Sequence, residues 1–515
     1  MTAATHCGMD IDPYFPPAAA AAAIALCVAL HLLFSFRRRS LRLPLPPGPR
    51  GLPILGALHL VDAHAHVSLA RLAARHGPVM FLRLGSHGCV VASDSAAAGC
   101  FLKALDLQFA NRPDIFSARD ISYNRQNLVM ADYTPTWKLL RRACTLHFLG
   151  GKALAEWGGV RRREIALMVR SLRAQAGPVA LPDVLVCALA NVIGVVVMSK
   201  RVFDSQGEES NRFKEMVLAV ATGGGQFNLG DFFPAIAWMD LQGIQGKMKR
   251  AQVAFDEILT KLLAEHEARK EEREREGRPD FLDKIMNGTK DGEVLTDANI
   301  RSLIIDLFVA GTDTTAIVVE WAIAEMLKKP SILKRAQEEA DAAVGHGRLL
   351  QESDIPNLPF LHAICKEALR LHPPTPLALP HFSYEPCEVN GFHVPANTRL
   401  LVNIWAIGRD PGVWPDPLRF DPDRFLGQRA AKYDPLGSDF EFIPFGAGRR
   451  VCTGKAAAML LLQYILGVLV HAFDWRLPEG EKLDMEEKHG LTTPKLVPLK
   501  ALLTPRLSPA AYDAA

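Results

Sequence analysis

The stretch FGAGRRVCTG, Phe445 to Gly454, constrains this chain more than any other. It sets one cysteine among three glycines and two arginines, directly before an apolar segment from Lys455 to Ala472. A helix starting at Lys455 places Cys452 about one turn before its first residue, where free N–H groups and the positive dipole end lower a thiol's pKa. Gly448 and Gly454 let the backbone approach a flat ligand closely, and Phe445 can shield the sulfur from water. Arg450 is a rigid fork suited to a carboxylate. A phosphate loop does not fit, because Arg449 stands where the first glycine of G-x-x-x-x-G-K-[ST] is needed and Ala456 replaces the hydroxyl.

The other cysteines carry no comparable context. All nine are scattered without a C-x-x-C pair, which argues against a disulfide framework or a zinc site and for a reducing compartment. Lys and Arg (59) nearly balance Asp and Glu (56), so the charge points to no nucleic acid partner. A hydrophobic content of 49% allows a large core within 515 residues.

Ala18 to Phe36 is a run of 19 residues without a formal charge, roughly 28 Å as a helix and long enough to cross a bilayer core. Asp10 and Asp12 precede it, and Arg37, Arg38, Arg39 and Arg42 follow. That order is the reverse of a cleaved signal peptide, and by the positive-inside rule the rest of the chain is cytosolic. The expected layout is a lumenal N-terminus (1–17), a transmembrane anchor (18–36), a basic and Pro-rich linker (37–53), one catalytic domain (54–506) and a C-terminal tail (507–515). LPLPPGPRGLP, Leu43 to Pro53, is a stiff spacer, since its prolines cannot continue a helix. The alternating charges of Glu265 to Asp280 predict a solvated helix end and loop.

Helix dominates the coarse pattern. Periodic apolar segments predict helices near residues 158–177, 249–271, 297–328, 358–371 and 455–471. Val79 to Leu84 and Cys89 to Ala92 predict a hairpin across GSHG, and a second alternating stretch, Glu388 to Leu401, breaks at Asn-Gly.

The pattern F-x-x-G-x-R-x-C-x-G is met at every fixed position and resembles the haem-binding loop of the cytochrome P-450 haem-thiolate monooxygenases, with Cys452 as the axial iron ligand. Three further matches follow in the family's order. AGTDTT, Ala310 to Thr315, lies in a predicted helix; there Ala310 and Gly311 leave room beside a cofactor, and Thr314 can return its hydroxyl to the carbonyl four residues back. The resemblance implies that Asp313 and Thr314 relay protons during O2 activation. Glu367 and Arg370 share a helix face among apolar neighbours, and the resemblance adds Arg424 as the third member of a buried structural ion network, with Asp423 where glutamate is usual. Trp137 and Arg141, spaced by four, are both donors, and in the family they bind a haem propionate. Where many relatives carry another arginine donor, this chain has His381, whose charge depends on pH.

Together these matches cover about residues 45 to 506. They imply a mainly helical prism with small β-sheets around haem b, and hydroxylation with O2 through an axial thiolate that favours O–O cleavage. No G-x-G-x-x-G follows a strand, so electrons from NADPH have to arrive through a separate NADPH-cytochrome P-450 reductase, with cytochrome b5 as a second donor, at the endoplasmic reticulum membrane. Arg449, Arg450 and Lys455 are expected on a basic docking face.

Longer stretches, among them Ser122 to Leu154, Phe227 to Gly243, Glu385 to Pro411 and Gln463 to Trp475, resemble plant flavonoid 3',5'-hydroxylases. The expected pocket for a flat phenolic ring draws on Phe308, Val309, Ala310, Pro376, Leu377, Ala378 and Leu491, with Thr312, Thr375, Thr492 and Thr493 as hydroxyl partners. Thr492 departs from that group, which usually has a smaller residue there, and matches many flavonoid 3'-hydroxylases; Pro494 also breaks the pattern. A single B-ring hydroxylation therefore stays open, as does another plant phenolic substrate. A non-oxygenating haem-thiolate protein is disfavoured by the Asp313–Thr314 pair.

Overall fold

The computed structural model describes residues 43–513 except 204–212, 214, 218, 221–227, 278, 287–294, 428–431 and 437–438. The predicted anchor at 18–36, with residues 1–17 and the basic start of the linker, lies outside the described residues.

A four-stranded sheet flanks a helical body. Its strands β1 (Val79–Leu84), β2 (His87–Ala92), β3 (His381–Ser383) and β4 (Thr398–Val402) lie in the spatial order β1-β2-β4-β3. The predicted hairpin is there, and β2 runs parallel to β4. Val179–Ala180, Lys500–Pro505 and Phe473–Arg476 form a second, antiparallel sheet, and Cys387–Val389 pairs with Phe392–Val394 across the predicted Asn-Gly break.

The helices that position the site are α1 (Pro135–Cys144), α2 (Gly158–Ala174), α3 (Leu181–Met198), α4 (Ile244–Ala268), α5 (Asp297–Lys328), α6 (Pro359–Leu371) and α7 (Lys455–Ala472). Thr296 caps α5: its hydroxyl accepts from the Asn299 amide at 3.2 Å while Asn299 Oδ1 accepts from the Thr296 amide at 3.1 Å, a reciprocal box that stabilises by about 1 kcal/mol. The periodic pattern does not announce α3, because it is buried on nearly every side and carries no amphipathic signal. Helices α3, α5 and α7 are long and apolar enough to cross a membrane, yet most of each is buried inside this fold, so they are core helices.

Two expectations change. The tail after residue 506 folds back as a short helix, Pro509–Asp513, whose fully buried Tyr512 donates to the Ala472 carbonyl at the end of α7. The charge run is not wholly solvated either: His266, Arg273 and Asp280 are buried together, with His266 Nε2 2.9 Å from Asp280 and Arg273 Nε donating to Asp283 at 2.9 Å. Alternating sign marks charged neighbours, and here they pair inward. The Pro-rich spacer is stitched to both sheets beside it, since Pro47 O accepts from the Phe81 amide and Pro44 O from the His393 amide.

Candidate active site

Cys452 is the only exposed cysteine among the described residues. Protein nevertheless surrounds it, and burial pushes its thiol above the ordinary value against the opposing pull of the Gly454 amide, Arg141 and Lys455. Accessible and enclosed together mean that the sulfur faces an internal cleft. The sequence expectation of a depressed pKa is thereby reversed for the protein alone, because desolvation outweighs the helix end. The loop is held from both sides. The Cys452 amide donates to Phe445 O at 3.0 Å, and Arg141 donates to Val451 O at 2.8 Å and to Thr453 Oγ1 at 3.0 Å. Gly448 sits at φ +69°, where a Cβ would stand 2.3 Å from the Leu102 carbonyl oxygen, so no other residue fits. Gly454 meets no such clash; a side chain there would start 4.0 Å from the Cys452 sulfur.

Helix α5 carries accessible positions of its own. From Ser302 to Met326 every residue is buried except Asp306, Val309, Ala310, Gly311 and Thr314. Asp306, Ala310 and Thr314 are spaced by four, so the accessible positions form one stripe on an otherwise buried helix. Thr314 Oγ1 donates to Ala310 O at 2.7 Å, as the spacing predicts. Gly311 has a second use: a Cβ there would lie 2.8 Å from the Ile193 Cδ1 atom, so the glycine lets α5 close on α3.

On the thiol side, positive charge is half-buried or buried with little compensation. Arg450 Nε donates to Ala110 O and Nη2 to Ala131 O, each at 2.5 Å, while its buried Nη1 has no partner. Arg112, 5% exposed, donates to the carbonyls of Val129, Leu379 and Pro380, and burial together with the charge of Arg450 depresses its pKa. The acid that acts on Arg450, Asp132, is already bonded by Arg125 at 2.6 Å. One buried guanidinium (Arg112), two half-buried ones (Arg141, Arg450), a buried N–H of Arg450 without a partner among the described residues and an enclosed thiol form a donor set that fits haem, with carboxylates for the arginines and iron for the sulfur.

Several predicted residues do something else. The Trp137 indole N–H donates to Leu128 O at 2.9 Å, and the ring lies 4.3 Å from the Arg450 guanidinium, so it is a platform here and no free donor. His381 Nδ1 lies 2.9 Å from Phe109 O, and burial with Arg112 pushes its pKa down to about 3. The ring is neutral with its N–H on Phe109, and the buried cation acting on it is Arg112, which no motif spacing revealed. Phe308 is 1% exposed and packs edge-on to Phe213 in the core, Thr312 Oγ1 donates to Phe308 O, and Thr493 Oγ1 donates to Pro373 O. These three belong to the core. Thr492 is buried as well, whereas Val309, Thr375, Leu377, Ala378 and Leu491 keep accessible surface.

The ion network takes the expected form. Glu367 receives Arg370 bidentately at 2.6 and 2.8 Å and the Asp421 amide at 2.7 Å, and Arg424 Nε completes the ion cluster at 3.4 Å. Arg370 and Arg424 also bind the carbonyls of Gly408, Pro417, Pro415 and Asp416, which fixes the segment before the cysteine loop. Asp423 lies outside and pairs with Arg335. Arg450 points inward and Lys455 Nζ is held by Leu436 O, so the basic surface near the thiol consists of Lys138, Arg142 and Arg449 around Tyr133.

The cytochrome P-450 family model matches residues 46–500. A flavonoid 3',5'-hydroxylase of Eustoma exaltatum subsp. russellianum is 54% identical over 91% of this chain and 92% of its own. A flavonoid 3'-monooxygenase of Arabidopsis thaliana is 43% identical over 95% and 98%. Among solved structures, a zebra fish cytochrome P-450 with progesterone superposes with a TM-score of 0.71 at 26% identity, covering 85% of this chain and 99% of that one.

Proposed function

This chain belongs to the cytochrome P-450 family, and from that membership we propose that it is a monooxygenase hydroxylating the flavonoid B ring at the 3' and 5' positions. The observation that carries the substrate is the graded identity, 54% to a 3',5'-hydroxylase against 43% to a 3'-monooxygenase, over nearly the whole chain in both cases. When bound, haem with a thiolate ligand supplies reductive activation of O2, one oxygen atom entering a C–H bond and the other leaving as water, with electrons derived from NADPH.

The chain's own residues have distinct tasks. Cys452 gives the sulfur ligand, and Arg450 with Arg112 and Arg141 holds the anionic carboxylates in place. Thr314, anchored on Ala310 O, and buried Asp313 keep protons available beside the cleft. Val309, Leu377 and Leu491 are apolar walls for a flat ring.

The redox partner is a membrane-bound NADPH-cytochrome P-450 reductase, which Lys138, Arg142 and Arg449 suit as an acidic surface's counterpart. A single-pass anchor at 18–36 holds the domain on the cytosolic side of the endoplasmic reticulum. Its exposed apolar residues support this: Ile54 is 74% exposed and Trp238 81%. Their segments meet at the β1–β2 turn, where Gly85 N donates to Leu55 O and Ser86 N to Phe232 O. The face at the β1–β2 turn thus presents exposed apolar residues, which suits contact with a membrane.

The test is expression of the chain with a reductase in microsomes and addition of naringenin, dihydrokaempferol and their 3'-hydroxylated forms. Trihydroxylated B rings are expected. Products that stop at the catechol favour the 3'-hydroxylase reading, which Thr492 supports; conversion of none of the four removes both.

A further inference from the structure

Asp306 is a half-buried residue whose carboxyl the chemistry above does not use. It lies one turn before Ala310 on the accessible stripe of α5, and it reaches across to the loop that precedes α1. Its Oδ1 accepts from Asn127 Nδ2 at 2.7 Å; its Oδ2 accepts from the Leu128 amide at 2.9 Å and the Val129 amide at 3.1 Å. Asn127 is itself locked, since its Oδ1 accepts from the Met130 amide at 2.8 Å. Three N–H donors on one half-buried carboxylate make a strong, directional tie.

The loop needs such a tie. Tyr123, Asn124 and Arg125 run consecutively through the left-handed region at φ 49°, 56° and 63°, a conformation that non-glycine residues adopt singly and at a cost. Just after them, the carbonyls of the same loop are taken one by one from other elements: Leu128 O by Trp137, Val129 O by Arg112, Met130 O by Arg125 and Ala131 O by Arg450. Every one of those donors is on the thiol side or on the loop itself. Asp306 takes the Leu128 and Val129 amides, and together with Asn299 of α5, whose Nδ2 donates to Gln126 O at 2.8 Å, it binds the loop to that helix.

We propose that Asp306 is a positioning residue: by tying Asn127, Leu128 and Val129 to α5 at the end of the accessible stripe, it closes the cleft over the substrate and sets where the flavonoid B ring comes to rest. Leu128 and Val129 are only half-buried, so the segment it holds still presents apolar side chains. The substrate named here rests on the function proposed above.

The full-length enzyme with its reductase is compared with Asp306→Asn and Asn127→Ala, the second keeping the question open should the first fail to fold. Hydrogen exchange is followed at 127–130, with α7 as an internal control, alongside KM, kcat and the ratio of singly to doubly hydroxylated product. Loss of a charge-assisted tie predicts exchange at Leu128 and Val129 faster by roughly ten- to a hundredfold in Asp306→Asn. KM rises by more than kcat falls, the product ratio changes, and Asn127→Ala moves every reading the same way by less. Faster exchange with wild-type KM and product ratio reduces Asp306 to a structural role and overturns the proposal, as does unchanged exchange in both variants. A wild-type enzyme that converts no flavonoid sinks the function reading; an active wild type with unaltered variants sinks this one alone.

Discussion

On the thiol side of the cleft, Arg141, Val451, Cys452 and Thr453 hold one another within one short loop and one helix, while the oxygen side is assembled from Asp306, Ala310 and Thr314 on α5, a loop near residue 128 and another near residue 491. The first centres on one continuous loop, Phe445 to Gly454, which Arg141 reaches from α1 and in which Gly448, at φ +69° and against Leu102 O, cannot carry a Cβ, so its residue types are set at consecutive positions. The second is built from distant segments, and its residue types answer to whatever fits across the gap. One side can be recognised by motif, the other by placement alone.

Breaking the thiol side has the largest expected effect. Cys452→Ala removes the sulfur while leaving the Phe445 and Arg141 contacts to the loop backbone intact, because both are made to or by main-chain atoms apart from Thr453. The thiolate-type spectrum of the reduced carbonyl complex is lost completely, and circular dichroism stays that of the folded chain. A surviving spectrum would remove Cys452 as ligand.

Next comes the support beneath it. Glu367 and Arg370 are both fully buried, and Glu367→Ala leaves two guanidinium groups inside without their carboxylate. A loss of about 3–5 kcal/mol is expected, enough to prevent recovery of folded haem protein at 37 °C. Glu367→Gln, which keeps two hydrogen-bonding atoms, recovers part of the yield; equal yields of wild type and Glu367→Ala would make the network dispensable.

What the amino-acid sequence disclosed follows the same division. FGAGRRVCTG, Glu367 with Arg370, and the return of Thr314 to Ala310 were all readable, because each lies within one turn or one loop and geometry needs those residue types at that spacing. α5 was readable in its bounds, Asp297 to Lys328. Arg112 and Asp306 were not, since each acts on carbonyls or amides of remote segments and nothing beside it in sequence marks it. Phe308, Thr312 and Thr493 were misplaced for a related reason: helical spacing says which residues share a face, and burial decides whether that face meets the cleft or the core. Trp137 and His381 kept their places but not their donors, because the nearest carbonyls, Leu128 and Phe109, took them.

On the oxygen side, Thr314→Ala is expected to lower product formed per NADPH by about 100-fold, the usual size of a positioned proton donor's contribution, with little change in folding stability. The helix itself loses nothing it needs, since the hydroxyl bonds back to a carbonyl of its own turn. An unchanged coupling ratio would take Thr314 out of proton delivery.

Asp306 adds a pH dependence of definite sign. Burial raises its carboxyl from 3.8 to about 7, opposed by Asn127, Leu128 and Val129; its titratable neighbour across the gap, Cys144 on α1, is pushed up to about 12 and stays neutral. Between those values for Asp306 the folded chain holds a proton that the unfolded chain has released, so stability falls as pH rises from about 4 to about 7 and is level above. Denaturant titrations at pH 5 and 7.5 should show a decline on the order of 2 kcal/mol in wild type that is absent in Asp306→Asn. Equal slopes would mean the carboxyl titrates as if in water.

The smallest effect is expected where sequence resemblance drew most attention. Thr492 is buried, and its loop is fastened next door: Thr493 O accepts from the Trp321 indole at 3.1 Å and the Thr493 amide donates to Pro374 O at 3.0 Å. Leu491, with accessible surface, is the better placed of the two to meet a ring. Thr492→Ala therefore acts through packing, and the ratio of 3',5'- to 3'-hydroxylated product should change by less than about threefold, under 1 kcal/mol and below the value of one methylene in a tight pocket. Leu491→Ala should change it more. A tenfold switch in Thr492→Ala would instead make the oxygen side as local and as readable as the thiol side, and the contrast between them would fail at that residue.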